Sequence, residues 1–431
     1  MTDLYEENLL ELFSASKRMG IQLLAEIELR AETGKVIERP LGSTKRLPGL
    51  EGIMFDLAQL RVLPIEQTVQ VDTKVLIGPK AKKPLQLDIP IMIGGMAYGL
   101  ALSEKAKIAL AMGASLAGTS TNSGSGPFLQ TERDNADKWI LQYSRSSWAK
   151  NEDVLSQADA IEIQFGQGSL GGLGYSLRAD KIGPALKQAF SIAFDQDAKV
   201  TARFPEVQKP EDVPAFVHSI RAKVDGTPIG IKIGCGKYLE QDLAVALQAG
   251  VDFITLSGAQ TATHGSPPSI GETHGLPTFF ALIRAVNFLN QNNAKDRVSL
   301  IVGGGLTEPG EILKALGLGA DAVHIGTAAL FSISHNQVEK PFPFEPPTQL
   351  IWYGGKYADQ YDENLGAQYL ANFLKSVVDE ISDGVRIMGK TSIRQVTKAD
   401  MFSLDQATAD ITGIPVGFKP EEPSSIINES L

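Results

Sequence analysis

The sequence predicts an α/β fold: a (β/α)8 TIM barrel with an N-terminal extension and a C-terminal helical tail. Three observations predict it. Eight short apolar runs, each ending near glycine or a small polar residue, alternate with longer segments of helical periodicity. Most of these runs lack polar alternation, as expected for parallel strands buried on both faces. No Gly-x-Gly-x-x-Gly turn follows the first run, which disfavours a dinucleotide-binding doubly wound sheet.

The eight predicted strands follow one another at barrel spacing. In chain order they are Ile89–Gly95, Ala114–Thr121, Trp139–Ser144, Ala160–Gly166, Gly230–Cys235, Phe253–Gly258, Ser299–Gly305 and Ala322–Thr327. The predicted helices between them are Ser103–Met112, Asp212–Val224, Tyr238–Ala249, Pro277–Asn290 and Pro309–Leu318. Ser103 suits a helix N-cap and Pro309 suits a first helical turn.

Flanking segments complete the expected organisation. Residues 1–85 are expected to form the N-terminal extension, with a helix, a Gly/Pro/Lys-rich connection and short strands around Thr68–Ile77. Residues 86–385 are expected to form the barrel, closed by a helix near Leu365–Ile381. Residues 386–431 form the predicted tail, which we expect to be frayed beyond Gly417.

Composition excludes several classes of function. The 431 residues carry a formal net charge of −10 with acids and bases interspersed, which argues against binding to nucleic acid or to an anionic membrane surface. Cys235 is the single cysteine, so an intrachain disulfide, a four-thiolate zinc site and a self-contained iron–sulfur cluster are excluded. No basic-then-apolar leader and no apolar run of about 20 residues is present. A cytoplasmic location is therefore expected.

Paired glycine loops predict a phosphate site at the carboxyl ends of strands 7 and 8. Strand 7 ends in Gly303, Gly304 and Gly305, and strand 8 continues into Gly326 and Thr327. Glycines let backbone N–H groups approach an anion, and a helix beginning at Thr327 would add its positive end. Each loop alone could be an ordinary tight turn, whereas the pair in adjacent barrel positions favours phosphate.

Lys232 lies inside the apolar, glycine-bounded strand Gly230–Gly234. A buried ammonium is costly unless an anionic or strongly polar group meets it, so we expect Lys232 to face a ligand at the barrel mouth. Beside a flavin, such a lysine would stabilise the negative charge of the reduced ring. The alternative is a lysine at a strand end that pairs with a surface acid.

Polar residues at the other strand ends could bind the same ligand or satisfy the core. Tyr98 follows strand 1 and Asn122 follows strand 2, whereas Gln142, Gln164 and Gln167 lie on or just after strands 3 and 4. Buried amides need hydrogen-bond partners, which a ligand or the core itself could supply.

Other candidate groups are weaker. His264 follows strand 6 and is a candidate for the site, whereas His274, His324 and His335 show no metal-ligand spacing, so no metal site is expected. Cys235 follows the strand that carries Lys232, but a small buried thiol is more common than a nucleophile.

Taken together, the motifs resemble a known family. They include GTSTNSGSG, QADAIEIQFGQGS, PIGIKIG and SLIVGGGLTEPGEILKALGLGADAV, and they run in order from about residue 83 to residue 374. They resemble the FMN-binding synthase domain of glutamate synthases. More closely, they resemble the stand-alone glutamate-synthase-like proteins that include the large subunit of N-methylglutamate synthase.

The resemblance implies FMN at the strand ends and, in the family, hydride delivery from reduced FMN to an imine formed from a 2-oxo acid and ammonia. The cofactor-binding residues it implies, together with neighbouring positions, are Gly95, Met96, Ala97, Asn122, Gln142, Lys232, Ser257, Gly304, Gly305, Gly326 and Thr327. The expected catalytic residues are Lys232, Gln164, Gln167, Tyr98 and His264, with Tyr98 or His264 as proton donor.

The chain also departs from the family's pattern. Gln164 and Leu170 replace two lysines that would meet a dicarboxylate, and Ser125 replaces an acid, which makes 2-oxoglutarate a doubtful substrate. Arg145, Arg178 or Arg203 could compensate. The printed sequence carries neither the family's glutaminase domain nor its cluster cysteines after strand 8, so ammonia and electrons are expected from other sources.

We therefore expect an FMN-dependent, glutamate-synthase-like oxidoreductase that acts on a C–N bond, either reducing an imine or oxidising an amine or amino acid. Expected partners are a small amino acid, oxo acid or amine substrate, glutaminase-like or electron-donor protein subunits, and further copies of the chain in a homo-oligomer. Two alternatives remain open: an FMN-carrying or degenerate subunit of a multi-chain synthase, and an IMP-dehydrogenase-like phosphate-binding barrel enzyme using Cys235.

Overall fold

The computed structural model describes residues 9–37, 39, 43–261, 266–337 and 347–419. Eight parallel strands form the central sheet. They are β1 (Ile91–Ile93), β2 (Thr121–Asn122), β3 (Trp139–Tyr143), β4 (Ala160–Gln164), β5 (Ile229–Gly234), β6 (Phe253–Ser257), β7 (Ser299–Gly303) and β8 (Ala322–Ile325).

The sheet closes into a barrel. Strands β2 to β8 pair in chain order, and β8 pairs in parallel with β1. The remaining seam is bridged by the Ile93 amide, which donates a hydrogen bond to the Ser120 carbonyl at 3.0 Å. Helices follow the strands around the outside, so the predicted (β/α)8 barrel is confirmed.

The sequence of β4 explains how one strand faces both the barrel interior and the helices. Ile161 and Ile163 alternate with Glu162 and Gln164. Glu162 bonds to side chains of β2 and β6, which are not neighbours of β4, and therefore points into the barrel. Because successive side chains of a strand point to opposite faces, the two isoleucines point outward and join the hydrophobic core.

The helices bury this outer face of the barrel. They are Glu104–Leu116 after β1; Gln130–Asp134 after β2; Glu152–Ser156 after β3; Pro184–Phe190 and Val213–Arg221 after β4; Leu239–Gln248 after β5; Pro268–Thr273 and Thr278–Gln291 after β6; Pro309–Gly317 after β7; and Thr327–Ser334, Pro347–Leu350 and Glu363–Ile387 after β8. Ser103 caps the first of these by accepting from the Ala106 amide, as the sequence predicts. The long helix Glu363–Ile387 packs against Glu104–Leu116.

The N-terminal extension and the C-terminal tail pair with each other outside the barrel. Strand Ile53–Phe55 runs antiparallel to Met401–Ser403. A hairpin of Val75–Ile77 and Leu85–Leu87 lies at the amino end of the barrel, where the Gly78 amide donates to Ser299 Oγ at 3.1 Å. The extension also holds helices Leu9–Met19 and Ile21–Thr33, and the tail holds a strand as well as the helix Gln406–Thr412.

The structure corrects one predicted strand and adds a feature. Residues 114–116 of the predicted second strand belong to the helix Glu104–Leu116, and strand pairing is confined to Thr121–Asn122. The Ala/Leu/Lys-rich run favours a helix, which ends at Leu116, and Gly118 then turns the chain with φ +70°. Between β4 and β5 the structure adds a hairpin, Tyr175–Leu177 with Ala198–Val200, that the sequence analysis does not predict. Within the described ranges, no helix is long and apolar enough to cross a membrane.

Candidate active site

A cavity of about 580 Å³ opens where the carboxyl ends of the barrel strands meet. Every strand end contributes to its wall: Gly95, Met96 and Ala97 after β1, Ser125 after β2, Arg145 after β3, Gln164 on β4, Lys232 on β5, Ser257 on β6, Gly304 and Gly305 after β7, and Gly326 and Thr327 after β8. Ser43, Lys45 and Leu47 of the N-terminal extension complete the rim. This end of the barrel is where enzymes of this fold bind their substrates.

Glu162 on β4 is completely buried and joins four strands beneath the cavity. Its Oε1 accepts hydrogen bonds from Asn122 Nδ2 at 3.0 Å and from Gln142 Nε2 at 2.8 Å. Its Oε2 accepts from Thr255 Oγ1 at 2.7 Å. A buried carboxylate is costly without such partners, and these donors come from β2, β3 and β6. Glu162 is therefore the main cross-link of the cavity floor.

Lys232 on β5 lies beside this carboxylate and also borders the cavity. Its Nζ is 3.9 Å from Glu162 Oε1, and its side chain is only 6% exposed. No hydrogen-bond acceptor within the described residues contacts the ammonium. Glu162 thus supplies the anionic partner that we expected for Lys232. The N–H groups of the ammonium are left to hydrogen-bond a ligand in the cavity.

The charges of this floor set the pKa values of two groups. Burial alone would raise the pKa of Glu162, but Lys232, His324 and the hydrogen bonds from Gln142 and Thr255 outweigh burial and lower it. Glu162 is therefore ionised at neutral pH.

His324 on β8 is a buried group that the sequence analysis did not select. Burial lowers the pKa of His324 to about 4; the nearby Lys232 also lowers it, whereas Glu162 opposes the shift. The imidazole is therefore neutral at neutral pH. Its Nε2 is buried without a hydrogen-bond partner among the described residues, although the residue borders the cavity.

The rim at β7 and β8 is suited to an anion. Gly304 and Gly305 have φ of +125° and +73°, which side-chain-bearing residues rarely adopt. At Gly326 an added Cβ would meet nothing within 4 Å, so the space above its backbone is open. The helix Thr327–Ser334 begins directly after it. Lys45, whose Nζ is 2.9 Å from the Glu272 carbonyl, borders a smaller cavity together with both β7 glycines.

Two glutamines at the carboxyl end of β4 form a polar part of the cavity wall. Gln164 Nε2 donates to Gln167 Oε1 at 2.7 Å, and both residues border the cavity. Gln164 Oε1 is buried without a partner in the described structure, as is Gln142 Oε1. Of these two acceptors, only that of Gln164 belongs to a residue that borders the cavity, where a ligand's N–H group would complete its hydrogen bonding.

A buried lysine behind the wall positions the loops after β1 and β2. Lys107 Nζ donates to the carbonyls of Met96 and Asn122, each at 2.8 Å, and lies 3.0 Å from Glu132 Oε1. Both charged residues are almost completely buried. Burial lowers the pKa of Lys107 and raises that of Glu132, while their mutual attraction opposes both shifts.

Some predicted site residues lie elsewhere. Tyr98 does not border the cavity; it packs in a separate hydrophobic cluster and forms an edge-to-face contact with Tyr353, with ring centroids 6.5 Å apart. Asn122 and Gln142 lie beneath the wall, where they bind Glu162 rather than the open space. His264 lies outside the described residues. The structure brings the remaining predicted residues together around one cavity.

Cys235 and the arginines are also placed. Cys235 is buried, and burial raises the pKa of its thiol to about 12, so the thiol stays protonated and is a poor nucleophile. Arg178 pairs with Asp180 at the surface and Arg203 is exposed, whereas Arg145 is buried against the cavity. No group of three or more potential metal ligands occurs within the described ranges.

Comparison with known proteins places these features in context. A family model described as a conserved region in glutamate synthase matches residues 53–391. A glutamate synthase large subunit-like protein of Rhizobium meliloti is 33% identical over 415 residues, covering 91% of this chain and 93% of the relative. An archaeal-type glutamate synthase [NADPH] of Thermotoga maritima is 29% identical, covering 86% of this chain and 78% of the relative. The flavin-binding domain of baker's yeast flavocytochrome b2 shares the fold, with a TM-score of 0.51 and 18% identity over 88% of this chain and 81% of that one.

Proposed function

The chain belongs to the glutamate synthase family, and from that premise we propose that it is an FMN-dependent oxidoreductase acting on a carbon–nitrogen bond. The observation that carries the proposal is the single cavity wall that joins Lys232, the Gln164–Gln167 pair and the glycines of β7 and β8. Lys232 would contact the ring of a bound flavin, and the glycines would contact its phosphate. The two glutamines would contact the substrate.

The residues present fit FMN. Backbone N–H groups around Gly304, Gly305, Gly326 and Thr327 would hold the phosphate, because glycine loops and a helix start favour an anion. Lys45 would add a positive charge at the same end. The open space above Gly326 is the feature that the group would fill, whereas the unpartnered Gln164 Oε1 is left for a substrate N–H.

Bound FMN supplies reversible hydride transfer, to an imine in the synthetic direction or from an amine or amino acid in the other. The chain's own contribution is electrostatic. Lys232 would place positive charge beside the reduced ring, and Glu162 keeps that lysine in position without hydrogen bonding to it. Gln164 and Gln167 would orient the substrate, and the apolar side chains Leu102, Leu330 and Trp352 would exclude water from the cavity.

We propose that nitrogen and electrons reach the site from other protein chains or from free donors. The relative from Rhizobium meliloti, which covers 91% of this chain, is named a large subunit-like protein, which supports a multi-chain arrangement. A purely FMN-carrying role within such a complex remains the second candidate, favoured by the neutral residues Gln164 and Leu170 in the substrate wall. Turnover by the isolated chain with an artificial electron donor separates the two.

The experiment that tests the proposal is an anaerobic flavin-reduction screen. The full chain, reconstituted with FMN, is mixed with amino acids, N-alkyl amino acids and simple amines, and the visible absorbance of the oxidised flavin is followed. Bleaching by one class of amine, reversed by a 2-oxo acid with ammonia or an amine, is the expected result. A reconstituted flavoprotein that no member of these classes reduces or reoxidises would contradict it.

The thiol-dependent alternative has its own test. Because Cys235 is buried with a raised pKa, we expect Cys235→Ser to keep full activity. Loss of activity in a Cys235→Ser variant that still binds FMN and unfolds at the wild-type temperature would instead favour the thiol mechanism.

A further inference from the structure

Arg145 is a buried cation with no anion of its own. It follows β3, is 2% exposed and borders the cavity. Its Nη1 donates to the backbone carbonyls of Gly172 and Ala202, the latter at 2.8 Å. Among the described residues no carboxylate lies within ion-pair distance of the guanidinium, and its Nε is buried without an acceptor. Leaving a charge buried and unpaired is costly, so an anion is expected in the adjoining space.

The other buried cation that borders the cavity is not left without an anion. Lys232 already lies beside the ionised Glu162. An anionic ligand is therefore attracted more to Arg145 than to Lys232.

The anion that Arg145 meets is not the one at the glycine rim. Arg145 follows β3, whereas the rim is formed after β7 and β8, on the opposite side of the eight-stranded barrel. A flavin phosphate at the rim leaves Arg145 unpaired. A second anionic group, on the substrate, remains to be bound.

The surroundings of Arg145 define what kind of substrate fits. Tyr175 OH and Ser125 Oγ hydrogen-bond to each other on the same wall, and both border the cavity. Four further residues that border the cavity are neutral, namely Gln164, Gln167, Leu170 and Leu177. Among the described residues, the buried cations that border the cavity are Arg145 and Lys232, and Lys232 already faces Glu162, so a second carboxylate would find no unpaired buried charge here.

We propose that Arg145 binds the carboxylate of the substrate, and that the substrate is an amino acid or 2-oxo acid with a single carboxylate and a neutral side chain. This inference rests on the proposed function and names its substrate class. A guanidinium is suited to the task because its planar fork binds a carboxylate through two parallel hydrogen bonds. Leu170 and Leu177 receive the neutral side chain.

The test compares binding of matched ligands to the full chain reconstituted with FMN. Pyruvate, pyruvamide and 2-oxoglutarate are titrated while the flavin absorption spectrum is recorded. We expect pyruvate to bind at least about tenfold more tightly than pyruvamide, because a charge-assisted hydrogen bond is lost with the amide. We also expect 2-oxoglutarate to bind more weakly than pyruvate.

Variants test whether the preference for pyruvate over pyruvamide depends on Arg145. Arg145→Met should weaken pyruvate binding roughly tenfold to a hundredfold and leave pyruvamide binding unchanged, so that the preference disappears. Arg145→Lys should keep part of the preference. Arg178→Met removes an exposed arginine and should change nothing.

The outcomes separate this inference from the proposed function. A wild-type chain that binds no FMN contradicts the proposed function, yet Arg145 can still be tested by the pyruvate-dependent rise in Tm of the flavin-free chain. Equal wild-type affinity for pyruvate and pyruvamide, or no binding of either, overturns the inference without any variant having to fold. An unchanged preference in Arg145→Met overturns it as well. If Arg145 only held the backbone at Gly172 and Ala202 in place, Arg145→Met would weaken the binding of pyruvate and of pyruvamide equally.

Discussion

The ion pair of Lys232 and Glu162 predicts a strong energetic coupling between the two residues. Both side chains are at least 94% buried, since 6% and 0% of their surfaces are exposed. The perturbations are Lys232→Met, which removes the ammonium but keeps an apolar chain, and Glu162→Gln, which keeps the shape and removes the charge. The two substitutions together remove both charges from the cavity floor.

The structure sets the size of the effect. At the observed separation of 3.9 Å, and with an effective dielectric constant of about 20, the attraction between the two charges is about 4 kcal/mol. Lys232→Met alone leaves Glu162 charged among neutral donors, and we expect it to lower the free energy of unfolding by about 3 kcal/mol or more. In the Glu162→Gln background the same change should cost about 1 kcal/mol or less, because no buried charge is then left unpaired.

The assay is a double-mutant cycle on the full chain without added flavin. Urea unfolding at neutral pH is followed by circular dichroism for the wild type, both single variants and the double variant. The control cycle uses the exposed pair Lys375 and Asp379, with side chains 76% and 64% exposed, where we expect a coupling of about 0.5 kcal/mol or less. Effects of Lys232→Met and Glu162→Gln that add to within about 0.5 kcal/mol would refute the reasoning.

Three further predictions concern the rim, the floor and the wall. The methyl group added by Gly326→Ala meets nothing within 4 Å, so Tm should be unchanged, yet the methyl group should weaken FMN binding roughly tenfold. Gly310→Ala is the matched control, and equal FMN affinity in the two variants would contradict the phosphate site. The folded-state pKa of His324 is lowered to about 4, so the unfolded chain binds more protons between pH 6.5 and pH 4, and stability is lost as the pH is lowered through that window. His324→Leu should therefore lose about 3 kcal/mol less free energy of unfolding than the wild type between pH 7 and pH 4, and identical pH profiles would count against this. Lys107→Met should cost about 3–5 kcal/mol by leaving Glu132 unpaired, and Lys107→Met combined with Glu132→Leu should recover much of it; no recovery in the double variant would contradict the buried pair.

The barrel was predictable because most of its strands are short apolar runs without polar alternation, as expected of strands buried on both faces. The predicted Trp139–Ser144 and Phe253–Gly258 each exceed the observed strands by one residue. The second strand was not predictable, because its alanine-rich approach favours a helix and only Thr121–Asn122 pairs with β3. Propensity decides such a segment locally, whereas the two-residue strand depends on the neighbouring barrel.

The site was predictable where a residue broke a strand's apolar pattern. Lys232 did so and does border the cavity. Glu162 gave the same signal within Ala160–Gln164, since it alternates with Ile161 and Ile163, but its role depends on strand register. Register pairs Gly230 with Glu162 and Lys232 with Gln164, and no local pattern fixes that alignment.

Loop residues were the least predictable. Tyr98 lies in the same loop after β1 as Met96, two residues further on, yet it packs in a separate cluster, beside the turn in which the Gly99 amide donates to the Leu102 carbonyl. Arg145 was one of three arginines considered, and only packing distinguishes it from Arg178. Side-chain direction in loops is set by tertiary contacts, which sequence spacing does not encode.

The central claim is that this barrel holds FMN with Lys232 beside it. Its most direct test is the titration of FMN into the purified full chain, with flavin fluorescence and retention through gel filtration as the measurements. We predict one tightly held FMN per chain, and a Lys232→Met variant whose bound flavin is harder to reduce because the positive charge is gone. A wild-type chain that retains no flavin, or a Lys232→Met variant that binds and reduces FMN like the wild type, would contradict the account.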